Sequence, residues 1–313
     1  MARFAVVEDL DEQPVVRGAR APDRTRTVVA GGLRIDVKEW GDPFDPPLLL
    51  AHGGLDFART YDVFAPLLAD GGWRVVAWDQ RGHGDSEHPA LYTWDADARD
   101  ALAVLESTTE RPVPVVGHSK GGGLMMHLAE VVPHRVSAVV NLDGLPSMRP
   151  VPDLPDHDRV TMLAEESDRW LSFRRRAGTN QRRPGTLDEL ADRRGRMNPR
   201  LDREWLRYLV TVGAHRDADG WRWKLDPALR PGGFGPWRPE WMLQRMKGLG
   251  QPLLGVLGLE LEEMGWGTRP ADVEPYLPQV AEFVVLEDTG HFVHIERPEH
   301  ISGLVLDFVG PAR

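Results

Sequence analysis

The sequence predicts an α/β fold in which a mostly parallel central sheet of about eight strands is flanked by helices and interrupted by an inserted helical cap. In the first half of the chain, apolar runs of strand length such as "PLLLAHGG" and "PVPVVGHS" alternate with segments of helical spacing. This alternation stops after residue 143 and resumes near residue 251. With 313 residues, 41% of them hydrophobic, the chain can bury a large core.

Each core element is predicted from its own pattern. "RTVVAGGLRIDVKEWGD" indicates two strands around the Gly31-Gly32 turn, and "WRVVAWDQRGHGDS" and "VSAVVNLDG" indicate buried strands. Helical spacing covers about 59–70, 93–109 and 120–132. After the insertion, "PLLGVLGLE" and "EFVVLED" indicate two more strands and 298–309 a final helix. The predicted core domain is 25–143 with 251–313, preceded by a loosely packed leader over 1–24.

The inserted segment, 144–250, is too long for a simple loop and predicts a helical cap, or lid. Insertions of this kind leave a parallel sheet at the carboxyl ends of its strands, where ligands bind, so the cap is expected to cover the site. Four of its tryptophans are candidates to line an apolar or aromatic pocket, although ordinary core packing is the alternative: Trp170, Trp205, Trp237 and Trp241. Its many arginines are expected to solvate helix faces, and one of them could hold a substrate carboxylate.

Composition excludes several classes of protein. The chain has no cysteine, which rules out disulfides, thiolate metal sites and a cysteine nucleophile. A net charge of -10 disfavours nucleic acid and acidic membrane surfaces as partners. No apolar run approaches the roughly 18 residues of a membrane helix, and the start lacks the pattern of a signal peptide. We expect a cytoplasmic monomer or homodimer that acts on a small molecule.

The stretch "VVGHSKGGG" places Ser119 in a G-x-S-x-G pattern between a predicted strand and a predicted helix. A serine on such a tight turn has strained dihedral angles and exposes its hydroxyl above the sheet. The glycines on either side allow the turn to pack, and the helix N-terminus favours developing negative charge. The alternative is an ordinary glycine-rich turn. In this context the pattern favours Ser119 as a nucleophile.

A serine nucleophile needs a base to take its proton. In "LEDTGHFVHIERPE", His291 lies in the loop after the last predicted strand, at the same end of the sheet as Ser119. His294, three residues later, is expected to pack or to cap the following helix. We therefore predict His291 as the general base.

The glycines after the strand in "AHGG" are candidates for an oxyanion hole. The backbone N–H of Gly54 and that of Lys120, which follows the nucleophile, would form the pair of donors. Gly53 would let the substrate approach closely. Both glycines could instead serve only the turn.

These motifs together resemble a capped serine hydrolase of the α/β-hydrolase superfamily. The resemblance rests on "HGG", "DQRGHGDS", "GHSKGG" and "GHFVHIERPE", in family order over residues 48–300. It implies that "DQRGHGDS" is a structural loop in which Asp79, Arg81 and Ser86 brace their neighbours. It also implies catalysis without a cofactor or a metal. The cluster around His83 has no credible set of metal ligands.

The acid that orients His291 is open between two strands. Family members commonly place it three residues past a glycine after the seventh strand, but here that position, counted from Gly258, is Leu261. Glu260 and Glu262 lie on either side of it. Some members instead draw the acid from the end of the sixth strand, where "VVNLDGLP" supplies Asp143. We favour Asp143, with Glu260 as the alternative; Asp143 could also be a structural aspartate.

The expected chemistry is hydrolysis of a carboxylic ester or lactone through an acyl-enzyme at Ser119. Dehalogenation and epoxide opening are disfavoured, because family members with those activities carry aspartate at the position of Ser119. A cofactor-free C–C bond hydrolase or lyase with the same serine and histidine is the alternative enzyme. A binding protein that reuses the fold for a small ligand is the alternative outside enzymes.

Overall fold

The structure is a computed structural model that describes residues 16–146, 156–177, 182–229 and 239–312. Short 3-10 turns occur at Ala58–Tyr61, Pro133–Arg135 and Glu274–Tyr276. The strands are β1 (Arg24–Ala30), β2 (Leu33–Trp40), β3 (Pro47–Ala51), β4 (Arg74–Trp78), β5 (Val113–His118), β6 (Val136–Leu142), β7 (Ala214–Asp217), β8 (Gly220–Trp223), β9 (Leu253–Gly258) and β10 (Ala281–Leu286). The helices are α1 (Phe64–Asp70), α2 (Trp94–Thr108), α3 (Lys120–Val131), α4 (Asp156–Ala177), α5 (Leu187–Met197), α6 (Arg203–Gly213), α7 (Pro239–Met246), α8 (Pro270–Val273), α9 (Val293–Glu296) and α10 (Pro298–Val309).

Eight of the strands form one sheet in the order β1-β2-β4-β3-β5-β6-β9-β10. Strand β2 is antiparallel to both of its neighbours, β1 and β4, and every pairing from β4 to β10 is parallel. The predicted fold class, a mostly parallel sheet of about eight strands, is therefore confirmed. Because parallel strands all end at the same edge, the loops after β3, β5, β6 and β10 share one end of the sheet.

Helices cover both faces of this sheet. On one face, α2 and α3 contribute residues such as Leu105 and Leu124 to a fully buried apolar cluster. On the other face, α1 and α10 contribute Leu68 and Ile301 to a second cluster. Helix α2 begins where the side chain of Thr93 accepts a hydrogen bond from the backbone N–H of Ala96, an N-cap that satisfies one donor of the first turn. These two layers hold the sheet as a rigid platform.

The chain between β6 and β9 forms the helices α4 to α7 and an antiparallel pair of strands, β7 and β8. The sequence led us to expect only helical structure here, and the hairpin is a difference. Its pattern was not recognised because its residues are mostly exposed or half-buried. The residues that follow the hairpin bind the loop after β4: Gly84 N–H donates to the Lys224 carbonyl at 2.7 Å, and Tyr92 donates to Asp226 at 2.6 Å.

The segment before β1 lies against the core where it is described. The N–H of Arg20 donates to the carbonyl of Asp62 at 2.7 Å, and the indole of Trp40 donates to the carbonyl of Arg20 at 2.9 Å. Residues 1–15 of the predicted leader lie outside the described residues. Among the helices that are described, none is both long enough and apolar enough to span a membrane.

Candidate active site

The candidate site residues come from four loops at the carboxyl end of the sheet. Gly53 and Gly54 follow β3, Ser119 follows β5, Asp143 follows β6, and His291 lies beyond β10. The strands β3, β5 and β6 are direct neighbours. Residues far apart in sequence therefore meet at one edge.

Ser119 occupies a strained turn between β5 and α3. Its backbone angles, φ 53° and ψ -121°, lie in a region that L-residues rarely adopt. Glycines make the turn possible: a Cβ on Gly117 would lie 2.2 Å from the carbonyl oxygen of Gly121, and one on Gly121 would lie 2.1 Å from that of Ala51. Ser119 thus stands immediately before the first turn of α3, as the sequence pattern predicts, but the residue is buried, with 7% of its surface exposed.

His291 and Asp143 form a buried pair. The Nδ1–H of His291 donates to Oδ2 of Asp143 at 2.6 Å, with the side chains only 2% and 8% exposed. A hydrogen bond from Nδ1 fixes the tautomer in which Nε2 carries the lone pair. The imidazole is therefore set to accept a proton on the side away from Asp143.

Asp143 is itself fixed by the neighbouring strand β9. Its N–H donates to the carbonyl of Val256, and its Oδ1 accepts from the N–H of Gly258, both at 2.8 Å. The residue has a positive φ of 48°. At Gly258 a Cβ would lie 2.3 Å from the carbonyl oxygen of Gly290, so only glycine lets the His291 loop approach this strand. Both oxygens of the Asp143 carboxylate are used.

The residues after β9 are placed differently. Leu261 is 81% exposed, and the carboxylate of Glu260, 47% exposed, pairs with Arg200 at 3.9 Å. Glu262 accepts the backbone N–H of His291 at 2.6 Å, and burial raises the pKa of Glu262. The structure thus brings Asp143, and not Glu260, to the imidazole. Sequence reasoning had considered Glu262 only as an acid for the imidazole and missed this backbone contact.

Trp266 was also missed by sequence reasoning. Its indole Nε1–H lies 3.4 Å from Oγ of Ser119, and among the described residues it is the only hydrogen-bond partner of that oxygen. The tryptophan stands between Gly265 and Gly267 in the loop after β9, and a Cβ on Gly265 would touch the imidazole of His291 at 3.7 Å. The only signal in the sequence was a tryptophan between two glycines, which specifies no role.

The loop after β3 approaches the nucleophile closely. A Cβ on Gly53 would lie 2.9 Å from the ring of His118 and 3.3 Å from Cβ of Ser119. Gly54 is half-buried beside it. Lys120 is the first residue of α3, so its backbone N–H is one of the donors that a helix N-terminus leaves outside its own hydrogen bonds. The two predicted oxyanion donors therefore belong to adjacent strand ends.

Two buried histidines brace this loop. His52 donates from Nδ1 to the carbonyl of Gly53 at 2.7 Å and accepts at Nε2 from the N–H of Gln80 at 2.9 Å. Burial lowers the pKa of His52 to about 3, so its ring stays neutral. His83 similarly accepts from the N–H of Leu55 at 3.3 Å. Neither ring is in a position that requires a charge.

The side chain of Lys120 belongs to a buried network below the nucleophile. Its ammonium contacts Asp97 at 2.8 Å and donates to Gln80 at 2.6 Å, and Gln80 donates to the carbonyl of His52 at 2.5 Å. Burial lowers the pKa of Lys120. The network connects Lys120 to the loop after β3, so the two segments that carry the predicted oxyanion donors are linked through buried side chains.

The predicted bracing loop after β4 makes the expected contacts. Asp79 accepts from the N–H of Ala58 at 2.7 Å and from that of Asp85 at 2.8 Å, and Ser86 donates to the carbonyl of Asp79 at 2.5 Å. Arg81 binds Asp100 through two hydrogen bonds of 2.7 and 2.6 Å. This structural interpretation is confirmed.

The remaining histidines near the site are neutral packing residues. His118 donates from Nε2 to the carbonyl of His291 at 2.9 Å, which ties the strand before the nucleophile to the base. His294 packs against the rings of His118, Tyr61 and Phe64, with centres 4.5 to 5.9 Å apart. Burial lowers the pKa of His294 to about 3.

The tryptophans predicted to line a pocket are only partly described. Trp205 is buried in the apolar cluster of the insertion, stacked on Tyr208 with ring centres 5.4 Å apart. Trp170 is half-buried beside Arg174. Trp237 lies outside the described residues, and so does the side chain of Trp241. Core packing, the alternative stated above, describes Trp205.

One group of three acidic side chains among the described residues has the spacing of metal ligands: Asp36, Asp79 and Asp85. Lys38 lies 2.5 Å from Asp36 and 3.3 Å from Asp85, and Lys224 lies 2.8 Å from Asp85. Two lysine ammonium groups therefore already balance these carboxylates, and the group is an ion-pair network.

The family follows from comparison with known proteins. A model of the α/β hydrolase fold matches residues 46–298, so the chain belongs to the α/β hydrolase family. A serine hydrolase-like protein of Danio rerio is 27% identical over 302 residues, covering 90% of this chain and 86% of that protein. A serine hydrolase-like protein of Dictyostelium discoideum is 37% identical over 120 residues, and the match spans only 33% of its length.

Solved structures agree on the fold. A thioesterase domain from the curacin biosynthetic pathway superposes with a TM-score of 0.76 at 24% identity, over 91% of this chain and 99% of that one. An esterase of M. tuberculosis superposes with a TM-score of 0.66 at 21% identity, over 93% and 92%. At these identities the likeness extends to the fold and not to the reaction.

Proposed function

We propose that the protein is a serine hydrolase that cleaves a carboxylic ester or lactone through an acyl-enzyme at Ser119. The observation that carries the proposal is the 2.6 Å hydrogen bond between His291 and Asp143, at the strand edge where Ser119 sits on its strained turn. In this assignment Ser119 is the nucleophile, His291 the general base and Asp143 the acid that orients it.

The reaction begins with proton transfer. Asp143 holds Nδ1, so Nε2 of His291 takes the proton of Ser119 as Oγ attacks the substrate carbonyl. For this step Oγ turns from Trp266 towards the imidazole, because catalytic hydrogen bonds often form only once substrate is bound. The imidazolium, stabilised by Asp143, then gives its proton to the leaving alcohol. Water repeats the sequence and releases the acid.

The oxyanion of each tetrahedral intermediate is assigned to the N–H groups of Gly54 and Lys120. Donors fixed in advance at the place where charge develops lower the barrier, and each such donor typically contributes 10²- to 10³-fold. The buried contacts of Lys120, Gln80 and His52 support the assignment, since they connect Lys120 to the loop after β3 that carries Gly54.

The insertion between β6 and β9 is proposed to act as a cap. The residues after its hairpin bind the loop after β4, and its apolar cluster includes Phe57 and Phe292 from loops of the strand edge. The substrate would enter between this cap and the sheet. An apolar or aromatic acyl or alcohol group would suit such a roof.

Relatives carry names of different reactions, and the residue at the turn favours one of them. Epoxide hydrolase A of Mycobacterium tuberculosis is 34% identical over 133 residues, covering 42% of this chain and 39% of that protein. Family members that open epoxides carry aspartate at this turn. Ser119 at this position supports acyl transfer instead.

A panel of p-nitrophenyl esters and simple lactones tests the proposal, with wild type and Ser119→Ala compared at equal concentration. We expect turnover by wild type and a loss of at least about 10³-fold in the variant. Both proteins are also treated with a fluorophosphonate, and we expect the wild type to be labelled and Ser119→Ala not to be. A folded wild-type protein that neither turns over the panel nor takes the label would contradict the proposal and favour a ligand-binding role.

A further inference from the structure

One arginine of the insertion is buried beside the proposed active site. Arg194 lies on α5 with its side chain only 7% exposed. Its Nη1–H donates to the carbonyl of Leu55 at 3.3 Å, and its guanidinium carbon stands 5.4 Å from the ring centre of Phe292. Leu55 follows the proposed oxyanion donor Gly54, and Phe292 follows His291. The guanidinium therefore contacts both loops that carry the chemistry.

Two nitrogens of this guanidinium have no hydrogen-bond partner among the residues that the structure describes. Nε and Nη2 of Arg194 are both buried, and no described residue accepts from either. These two nitrogens lie along the same edge of the planar guanidinium, so one N–H bond of each points in the same direction. A buried donor without an acceptor destabilises a protein, and such atoms are rare in folded chains unless a ligand or water uses them.

Asp56 balances the charge without occupying that edge. Its Oδ2 lies 3.7 Å from Nη2, too far for a hydrogen bond, and the residue is 1% exposed. Oδ2 of Asp56 is likewise buried without a partner among the described residues. The pair thus makes a buried arginine tolerable while it leaves the two parallel donors open.

We propose that this edge of Arg194 binds a carboxylate of the substrate. Parallel N–H donors of arginine match the two oxygens of a carboxylate, and hydrogen bonds between charged groups are the strong ones. The inference rests on the proposed function and narrows it: the preferred substrates are esters or lactones that carry a second, free carboxylate. Asp56 weakens the preference for an anionic substrate, because its carboxylate repels the carboxylate of the ligand.

The first test compares a monoanionic ester with its neutral counterpart, monomethyl glutarate with dimethyl glutarate. The measured quantity is the ratio of kcat/KM for the two esters in wild type, Arg194→Met and Arg194→Lys. Lysine keeps a charge near Asp56 but cannot offer two parallel donors. Arg196→Met is the matched control, since Arg196 is exposed on the same helix.

We expect the ratio of anionic to neutral ester to fall about 10- to 100-fold in Arg194→Met, as the loss of hydrogen bonds to a charged group implies. It should fall about 10-fold in Arg194→Lys and stay at the wild-type value in Arg196→Met. An unchanged ratio in both Arg194 variants, or equal losses for the two esters, would overturn the inference.

Equilibrium binding separates this inference from the proposed function. Calorimetry on Ser119→Ala measures the Kd of both esters without turnover, with and without Arg194→Lys. Tighter binding of monomethyl glutarate that is lost with Arg194→Lys supports the carboxylate site even if wild type hydrolyses no ester. Equal Kd values for the two esters in Ser119→Ala would overturn it even if wild type is an active esterase.

Discussion

The ends of β6 and β9 are neighbours in the sheet, yet the acidic residue at one end is buried and the acidic residue at the other is exposed. Asp143, at the end of β6, is buried and bonded to the imidazole of His291. Glu260, just past β9, is 47% exposed and pairs with Arg200 on the surface. The two carboxylates have similar chemistry, and the position of the backbone decides which of them meets the imidazole.

The register of β6 against β9 explains how an acid at the end of β6 reaches the imidazole of His291. Leu142 pairs with Val256, so Asp143 is level with the last residues of β9. Its N–H and one carboxylate oxygen then bind the backbone of that strand at Val256 and Gly258. The Asp143 side chain lies across the end of β9, which leaves the later residues of this loop free to serve other contacts.

The largest effect is expected when each acid is exchanged for its amide. Asp143→Asn should lower kcat by about 10³- to 10⁴-fold, because an amide no longer stabilises the imidazolium or selects the productive tautomer. Glu260→Gln, the matched control, should stay within about 2-fold, since an exposed ion pair contributes little. Steady-state kinetics on one activated ester measures both. The reverse order would move the acid to the end of β9.

Glu262 tests whether the β9 loop acts through the backbone of His291. Its carboxylate accepts the N–H of His291 at 2.6 Å, which fixes the backbone of His291. Glu262→Ala should lower kcat about 10-fold with little change in KM, and Glu262→Gln should restore most of the loss because its amide oxygen still accepts. If alanine and glutamine are equally poor, the negative charge and not the hydrogen bond is what matters.

Trp266, in the same loop after β9, contacts Ser119. Its indole N–H lies within hydrogen-bond distance of Oγ of Ser119, and phenylalanine removes this donor while it keeps an aromatic ring at the position. Trp266→Phe should speed labelling by a small fluorophosphonate about 2- to 10-fold, as the loss of one neutral hydrogen bond implies. Trp73→Phe, a buried tryptophan in the cluster against α1, is the control. Slower labelling in Trp266→Phe would mean that the indole assists the nucleophile.

A smaller effect is expected on stability, from a histidine that the proposed reaction does not use. Burial lowers the pKa of His294 to about 3 from an ordinary 6.5, so the unfolded chain binds its proton first as the pH falls. The contribution of this residue to stability is therefore complete above pH 6.5 and is lost between 6.5 and about 3.

His294→Phe should remove this dependence. Relative to wild type, the variant should gain about 1.4 kcal/mol of unfolding free energy on going from about pH 7.5 to about pH 5.5. Both ring nitrogens of His294 are buried without a partner among the residues described, so the substitution costs no hydrogen bond there. Urea unfolding at the two pH values measures it. Parallel changes in both proteins would show that His294 is protonated in the folded state.

Much of the fold could be predicted because local patterns and tertiary structure agree. The strand "VVGH" and the glycines around Ser119 carry their structure in the sequence, and β5 and α3 lie within one residue of the predicted bounds. The hairpin of β7 and β8 was missed because its strands are only four residues long and pair with each other and, at Trp221, with the backbone of Gly185. No periodic burial marks such strands.

The proximity of Asp143, Ser119 and His291 could be anticipated from strand ends alone, whereas Trp266 and Arg194 could not. Both belong to segments without regular spacing relative to the nucleophile. Their positions depend on how a loop and an inserted helix pack onto the sheet. One arginine among many in the insertion has no distinguishing pattern until the structure places it beside Leu55 and Phe292.

The most direct test of the central claim is to trap the acyl-enzyme. Wild type and His291→Ala are mixed with p-nitrophenyl acetate, quenched in acid and analysed by peptide mass spectrometry. The account predicts an acetyl group on the peptide that contains Ser119 in wild type and none above background in His291→Ala. Acetylation elsewhere, or equal acetylation of Ser119 in both proteins, would contradict activation of Ser119 by the His291–Asp143 pair.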